Sequence, residues 1–230
     1  MRLDLSERLR CTAAHQPTPL VIVAAEVVER DLVRGTAGCP VCRAEVRIAR
    51  GDLWFGDASE SEAAAAASAG IAPGASATAP VPHDVAGLER LMAFLGLSEP
   101  GGAVLLTGDY ARLALQLAAT LDFSVVTFAD RGAGPAPGAG HERGFALAAV
   151  RGSPGAVPFG DGTFRAAALG AGLGPALVRD ALRCIVPGGR VMAPVGLPRP
   201  DGVQELARDE REWVGETVPA APMVTLGRRG

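Results

Sequence analysis

Short apolar runs alternate with amphipathic segments along the second half of the chain. Helical spacing of apolar residues over 84–96 predicts an amphipathic helix with Asp84 as its N-cap, and a second helix is predicted at 113–121. Buried strands are predicted at the uninterrupted apolar runs, which are 103–107, 123–128, 145–150, 165–169 and 190–195. This alternation predicts an α/β domain with a mostly parallel sheet.

The connections between these elements are less regular. Residues 131–143 are so rich in Gly and Pro that we expect a loop in place of the crossover helix that parallel strands usually need. A helix is predicted at 175–185, followed by a tight turn at 187–189. Further elements are a short helix at 204–211 and a closing pair of strands at 213–217 and 223–226. The closing pair would complete the far edge of the sheet.

The first 56 residues have a different pattern. β-branched residues predict a strand at 19–28, and weak alternation over 44–55 is typical of a hairpin. After this segment the composition changes abruptly to Ala, Ser, Gly and Pro over 57–82, which favours a flexible linker. We therefore expect a small β unit at 1–56, a linker at 57–82 and the α/β domain at 83–230.

Three of the four cysteines lie in the small unit, as Cys11, Cys39 and Cys42, and His15 follows Cys11 by four positions. A tetrahedral zinc ion takes two ligands from each of two turns, and Cys-x-x-Cys spacing lets both thiolates reach one metal. The sequence therefore predicts a zinc site formed by these four residues, in a zinc ribbon. The alternatives are a redox-active cysteine pair, or free thiols with His15 as a polar loop residue.

Composition narrows the classes of function. The chain has 230 residues, 48% apolar content and a net charge of -3, which allows one full core and a small second unit. All 22 basic residues are Arg, a bias typical of genomic composition, and the net charge argues against a polyanion-binding surface over the whole molecule. No apolar run is long enough to span a membrane and the N-terminus is charged, so we expect a cytoplasmic protein without membrane contact.

Two segments carry resemblances to known families. Cys39-Pro-Val-Cys42 and the following 46–55 resemble the small zinc-ribbon proteins that partner and activate tRNA and rRNA methyltransferases, over about the first 56 residues. A similar ribbon is found fused ahead of methyltransferase domains. This resemblance implies a bound zinc ion and a contact with a partner protein.

The second resemblance covers residues 84–198. Pro158-Phe159, Asp161-Gly162 and Phe164, together with Leu182-Arg183 and the segment 187–191, look like class I S-adenosylmethionine-dependent methyltransferases. This resemblance implies a Rossmann-like sheet with an antiparallel edge strand and an S-adenosylmethionine site. Its cofactor-binding positions here would be Gly108, Asp109 and Asp130.

The cofactor motif is largely lost. The loop after the first strand keeps Gly108, but the next two glycine positions hold Tyr110 and Arg112, whose side chains could fill the cofactor space. Family acids are also replaced, by Leu106 in the first strand, Ser153 before the Pro-Phe motif and Arg165 after it. Three or four lost hydrogen bonds would weaken binding by on the order of a thousandfold. Little or no cofactor binding is expected.

No other catalytic group is evident. His83 and His141 lie in Pro/Gly-rich loops, and Cys184 has the setting of a buried thiol. The first hypothesis is thus a catalytically silent methyltransferase-like scaffold whose zinc ribbon binds a protein partner. The second is an active methyltransferase with an atypical loop, acting on RNA, protein or a small molecule. The third is nucleic-acid binding through the Arg residues of the ribbon, which are Arg8, Arg10, Arg43, Arg47 and Arg50.

Overall fold

The computed structural model describes residues 1–56, 84–129, 135, 138–142 and 144–218. The predicted linker, the predicted strand at 223–226, His83 and the candidate cofactor residue Asp130 lie outside the described residues. No helix in the described ranges is both long and apolar enough to cross a membrane.

The described residues of the α/β part form seven strands. In chain order these are β5 (Ala103–Thr107), β6 (Ser124–Ala129), β7 (Leu147–Arg151), β8 (Phe164–Ala168), β9 (Ile185–Pro194), β10 (Val203–Arg208) and β11 (Glu212–Thr217). Their order in the sheet is β7-β6-β5-β8-β9-β11-β10. The five strands from β7 to β9 are parallel, and β11 is antiparallel to both β9 and β10. This is a doubly wound arrangement whose strand order reverses between β5 and β8, and the predicted antiparallel strand near the sheet edge is confirmed.

Helices cover both faces of this sheet. Counting from the N-terminus, the helices are α1 (Leu3–Ser6), α2 (Val85–Leu95), α3 (Ala114–Thr120), α4 (Ala139–Glu142) and α5 (Pro175–Arg183), and a 3-10 helix at Gly108–Leu113 precedes α3. Successive residues of β5 alternate between two buried clusters: Val104 and Leu106 pack with α2 and α3, whereas Leu105 packs on the face that holds α5. The alternation follows from the two-residue period of a strand. Asp84 is the N-cap of α2, as predicted, and its carboxylate accepts a hydrogen bond from the Gly87 N–H.

The N-terminal unit, residues 1–56, extends the same sheet. It contributes β1 (Val21–Val28), β2 (Asp31–Gly38), β3 (Glu45–Ala49) and β4 (Asp52–Trp54), joined as an antiparallel meander. Strand β4 then pairs in parallel with β7, so that one eleven-stranded sheet runs from β1 to β10. The hydrogen-bonded sheet therefore crosses the predicted boundary between the two parts of the chain.

A buried carboxylate holds this junction. Asp52 is 3% exposed, and its oxygens accept hydrogen bonds from the backbone N–H groups of Gly138 and Ala149 at 3.1 and 2.9 Å. It also pairs with the Arg151 guanidinium at 2.7 Å. Arg151 in turn donates to the Pro135 carbonyl and lies 5.5 Å from the ring centre of Trp54. The ion pair therefore ties β4 to β7 and to the chain before α4.

The first residues of the chain also enter the core. Leu5 and Leu9 are buried in the cluster that contains Phe159, and Leu9 forms an isolated β-bridge with Phe159. The Met1 ammonium group donates to the Leu32 carbonyl at 3.2 Å. Residues 1–10 thus pack under both parts of the sheet.

Several predicted elements differ in the structure, and the residues predicted as a tight turn at 187–189 lie inside strand β9. Of the residues predicted as a helix at 204–211, those up to Arg208 form strand β10, because pairing with β11 satisfies the backbone groups and overrides the helix propensity of Gln204, Glu205 and Ala207. The helix predicted at 113–121 begins as the 3-10 helix and becomes α-helical only from Ala114. In the Gly/Pro-rich segment the described residues form only the single turn α4.

Removing the Asp52 carboxylate is expected to destabilise the protein strongly. Asp52→Ala leaves a buried guanidinium and two N–H groups without their acceptor, and we expect a loss of about 3–5 kcal/mol in the free energy of unfolding. Urea denaturation measures this. The exposed Asp201 in the turn before β10 offers the control, since Asp201→Ala should change stability by less than about 0.5 kcal/mol. Equal effects for the two variants would contradict the role of Asp52.

Candidate metal centre and switch-point cavity

The structure brings the four predicted metal ligands together. One ligand atom from each of Cys11, His15, Cys39 and Cys42 can be chosen so that all four lie within 4.8 Å of one another. The Sγ atoms of Cys11 and Cys42 are 3.6 Å apart, and the Cys39 Sγ is 3.4 Å from the His15 Nε2. Three thiols and one imidazole are a donor set that zinc takes in its tetrahedral sites.

Two turns position these ligands. Cys39 and Cys42 lie on the turn between β2 and β3, where the Arg43 N–H donates to the Cys39 carbonyl and the Cys39 N–H donates to the Ala44 carbonyl. Arg43 has a φ of 62°, so the chain turns sharply directly after the second thiol. Cys11 is held on the other turn by a hydrogen bond from its N–H to the Thr18 carbonyl.

The thiols differ in acidity. Burial raises the pKa of Cys11 to about 11, whereas a backbone hydrogen bond from Ala44 lowers the pKa of Cys42. Such groups release protons when they ligate a metal, and the positive charge of the metal offsets the repulsion between neighbouring thiolates. Because the turns already place the donors around one point, these residues fit a bound zinc ion.

The fourth cysteine does not belong to the cluster. Cys184 is buried at the end of α5, its thiol donates to the Phe159 carbonyl at 3.3 Å, and burial raises its pKa to about 12. Its setting is that of a packed, protonated thiol, in line with the sequence prediction.

A cavity of about 310 Å³, called here the switch-point cavity, opens at the carboxyl ends of the parallel strands. Its lining comes from the ends of β5, β6 and β7, from the loops after β7 and β8, and from α5. The described lining residues are Thr107, Gly108, Phe128, Val150, Gly152, Ser153, Pro154, Gly155, Ala171, Gly172, Leu173 and Leu177. This is the edge of an open α/β sheet at which ligands bind, next to the point where the strand order reverses. Among the described lining residues none carries a charge.

At the strand-order reversal the two backbones touch. Gly108 has a φ of +56°, and a Cβ there would lie 2.9 Å from the Gly170 Cα; a Cβ on Gly170 would lie 2.7 Å from the Gly108 Cα. Thr107 stabilises this contact, because its hydroxyl donates to the Ala168 carbonyl at 3.3 Å and accepts from the Gly170 N–H at 2.9 Å. Only glycine fits at both positions, and the Thr107 hydroxyl already has two partners.

Tyr110 and Arg112 point away from the cavity. The Tyr110 hydroxyl donates to the Glu212 carboxylate at 2.9 Å, and Arg112 pairs with the Asp84 carboxylate at 3.1 Å. Burial and the Glu212 hydrogen bond raise the pKa of Tyr110, so its hydroxyl stays a donor. The expectation that these two side chains could fill the cofactor space is therefore wrong, because both have partners on α2 and β11.

Arg90 extends this network. It pairs with both Asp209 and Glu212, and its guanidinium lies 4.4 Å from the ring centre of Phe94. The Arg90 hydrogen bond holds the pKa of Asp209 well below its usual range. Helix α2, the 3-10 helix and the β10–β11 hairpin are thus joined by one set of charged contacts.

The candidate cofactor residues are only partly brought together. Gly108 lines the cavity, Asp109 is exposed and is not part of the lining, and Asp130 lies outside the described residues. At the positions where the resemblance predicts acids, Leu106 is buried, Ser153 lines the cavity, and Arg165 donates to the Glu99 and Gly101 carbonyls. No single pattern in the sequence marks the loop 152–155 as a cavity wall, although its two glycines are a signal that was available.

The Pro-Phe segment has a structural role. Phe159 packs edge-on against Phe164 with ring centres 5.1 Å apart. Arg183 pairs with Asp161 and Asp180, and it donates to the Phe159 carbonyl at 3.0 Å. These contacts fix the segment between the cavity wall and β8.

Three of the Arg residues considered for nucleic-acid binding have contacts within the chain. Arg10 donates to the Leu9 carbonyl at 3.3 Å, and Arg47 and Arg50 have interactions within the chain. Nucleic-acid binding by this group stays a prediction.

No protein-family model matches the chain, and no curated protein matches it. Solved structures similar to it include the [4+2]-cyclase SpnF, with 22% identity, a TM-score of 0.39, and coverage of 46% of this chain and 43% of that one. Geranyl diphosphate C-methyltransferase from Streptomyces coelicolor matches at 18% identity and a TM-score of 0.40, over 47% and 42%. Phosphoethanolamine N-methyltransferase 2 from Haemonchus contortus matches at 18% and 0.39, over 47% and 27%.

The matched part spans less than half the length of each of these three proteins. The strand order and the contacts within this chain are therefore the basis for its proposed function.

Metal binding is expected to need the four clustered residues. The purified protein should hold about one zinc per chain, the stoichiometry of a four-ligand site. Cys39→Ser should lower this content severalfold because only three ligands remain. Cys184→Ala is the control, since that thiol lies outside the cluster. Elemental analysis after dialysis measures the content, and the loss of zinc from both variants alike would contradict the assignment.

Proposed function

We propose that this chain is a methyltransferase-like binding protein without methyl transfer activity, with a zinc-binding N-terminal unit that contacts a partner protein. The observation that carries the first part is the described wall of the switch-point cavity. Its side chains are apolar or small, and of its two hydroxyls the one on Thr107 is already satisfied by Ala168 and Gly170. S-adenosylmethionine carries a carboxylate, an ammonium and a sulfonium, whose desolvation needs partners.

The loop after β5 supports this proposal. Its side chains serve contacts inside the protein: Tyr110 binds Glu212, Arg112 binds Asp84, and the Gly108 backbone packs on Gly170. A loop used in this way stabilises the fold around α2 and β11. The two glycines it lacks would have allowed a closer approach to a ligand.

A surface for the partner is available on the N-terminal unit. Strand β1 is the last strand of the sheet, and Val21 and Val23 are 58% and 66% exposed. The adjacent turn between Cys39 and Cys42 presents Val41, which is 63% exposed. Among the described strands β1 has a neighbour on one side only, so its outer edge and its exposed valines are groups that a partner strand can cover.

An active S-adenosylmethionine-dependent methyltransferase is the second candidate. The observation in its favour is the position of the cavity, which lies at the strand carboxyl ends beside the strand-order reversal. Gly108 keeps the left-handed conformation there, and Asp109 follows it. If this candidate is right, Asp130→Ala should abolish methyl transfer, because Asp130 is the acid that would hold the cofactor ribose.

Calorimetric titration separates the two candidates. With zinc-loaded protein we expect no binding heat from S-adenosylmethionine or its demethylated product at about 1 mM ligand, which corresponds to a binding free energy weaker than about -4 kcal/mol. The physical reason is the lack of charged partners in the described wall. Micromolar binding would overturn the scaffold proposal and favour the active enzyme. Circular dichroism on the same sample shows that the protein is folded.

The partner surface is tested by charge substitution. The double variant Val21→Lys/Val23→Lys places two charges on β1 and leaves the metal ligands unchanged. We expect the amount of partner protein that the immobilised chain retains to fall at least tenfold. Leu206→Lys/Val218→Lys is the matched control, because both residues are exposed apolar positions at the opposite side of the sheet. Quantitative mass spectrometry measures retention. Equal retention by both variants would exclude β1 as the contact surface.

A further inference from the structure

The segment 152–160 connects the cavity to the metal cluster. Its first residues, Gly152–Gly155, form one wall of the cavity, and its last residues, Pro158–Gly160, lie against the N-terminal segment. Between them, the Val157 N–H donates to the Asp180 carboxylate. Because the segment is short, a displacement of the backbone at one end is expected to reach the other end.

The first metal-binding turn holds the far end of the segment. The Arg10 N–H donates to the Pro158 carbonyl at 3.0 Å, and the Gly160 N–H donates to the Arg8 carbonyl at 2.7 Å. Leu9 and Phe159 form the bridge between them and are both almost fully buried. Arg10 is followed directly by the ligand Cys11. The strand-like pairing at Pro158–Gly160 therefore ends next to the metal cluster.

Strand β4 holds the near end. The Phe55 N–H donates to the Arg151 carbonyl at 2.9 Å. The backbones at Gly152 and Phe55 lie so close together that a Cβ on Gly152 would be 2.0 Å from the Phe55 carbonyl oxygen. Strand β4 pairs with β3, which begins directly after the turn that carries Cys39 and Cys42. Both ends of the cavity wall are therefore attached to chain segments that a metal ion would join.

We propose that metal binding at the Cys11–His15–Cys39–Cys42 cluster controls the conformation of the segment 152–160, and with it the cavity wall at Gly152–Gly155. With the metal bound, the two turns are held together and the wall is fixed from both ends. Without it, residues 8–11 separate from Pro158–Gly160 and the wall loosens. Coupling of this kind is reciprocal, so that any ligand which binds the fixed wall also raises the affinity for the metal. The inference rests on metal binding by the cluster and not on the presence or absence of methyl transfer.

Hydrogen exchange on the full chain tests this proposal. We compare zinc-loaded protein with the same protein after chelation, and we expect peptides covering 152–160 to exchange at least tenfold faster without zinc. Peptides covering β10 and β11, at the opposite edge of the sheet, should be unchanged. Acceleration confined to the peptides around Cys11 and Cys39 would overturn the proposal, and so would equal acceleration along the whole chain.

A second variant breaks the connection while it keeps the ligands. Arg10→Pro removes the N–H that donates to Pro158, whereas Arg10→Ala keeps it and serves as the matched control. With zinc content verified in both, Arg10→Pro should accelerate exchange at 152–160 and Arg10→Ala should not. Unchanged exchange in zinc-loaded Arg10→Pro would overturn the connection through residues 8–11. Methyl transfer and cofactor binding do not enter either measurement, so failure here is distinct from failure of the proposed function.

Discussion

The described structure depends on the buried carboxylate of Asp52. Strand β4 has only three residues, and its parallel pairing with β7 involves Leu53 and Trp54. The Asp52 carboxylate adds hydrogen bonds to Gly138, Ala149 and Arg151, at a site where water has little access. A buried acid is tolerated only when its partners are complete. Because these partners belong to the α/β part, the position of the whole N-terminal unit is tied to them.

This junction gives the metal cluster a place in the fold. The ligands Cys11 and His15 follow a segment that packs on Phe159, and the ligands Cys39 and Cys42 lie on the turn between β2 and β3. A metal ion would therefore close a ring that includes the N-terminal segment, the meander β1–β4 and the cavity wall. In a chain with no disulfide among its four cysteines, such a ring replaces the constraint that a cross-link would provide.

The loop after β5 contributes Gly108 to the lining of the switch-point cavity. In an open α/β sheet the crevice at the strand-order reversal is the usual place for a ligand. Here Gly108 and Gly170 touch across that crevice, while Tyr110 and Arg112 bind Glu212 and Asp84 on the other side of the loop. The remaining cavity lies over β6 and β7, and its described wall favours small or apolar groups. These contacts are the basis of the proposal that the chain is a binding protein.

Local pattern alone was enough to predict several features. The apolar run of β5 has one sensible conformation, the carboxylate of Asp84 caps α2 within three residues, and the spacing of the four ligands predicts the cluster that the turns assemble. Each of these depends on neighbours close in sequence or on a strict ligand geometry. Other features depend on partners far along the chain. Residues of β10 form a strand because β11 lies beside them, and the Tyr110 side chain lies outside the cavity because its hydroxyl donates a hydrogen bond to Glu212. The attachment of β4 to β7 likewise needed Asp52 and Arg151 to meet across 99 residues, which only the tertiary structure could decide.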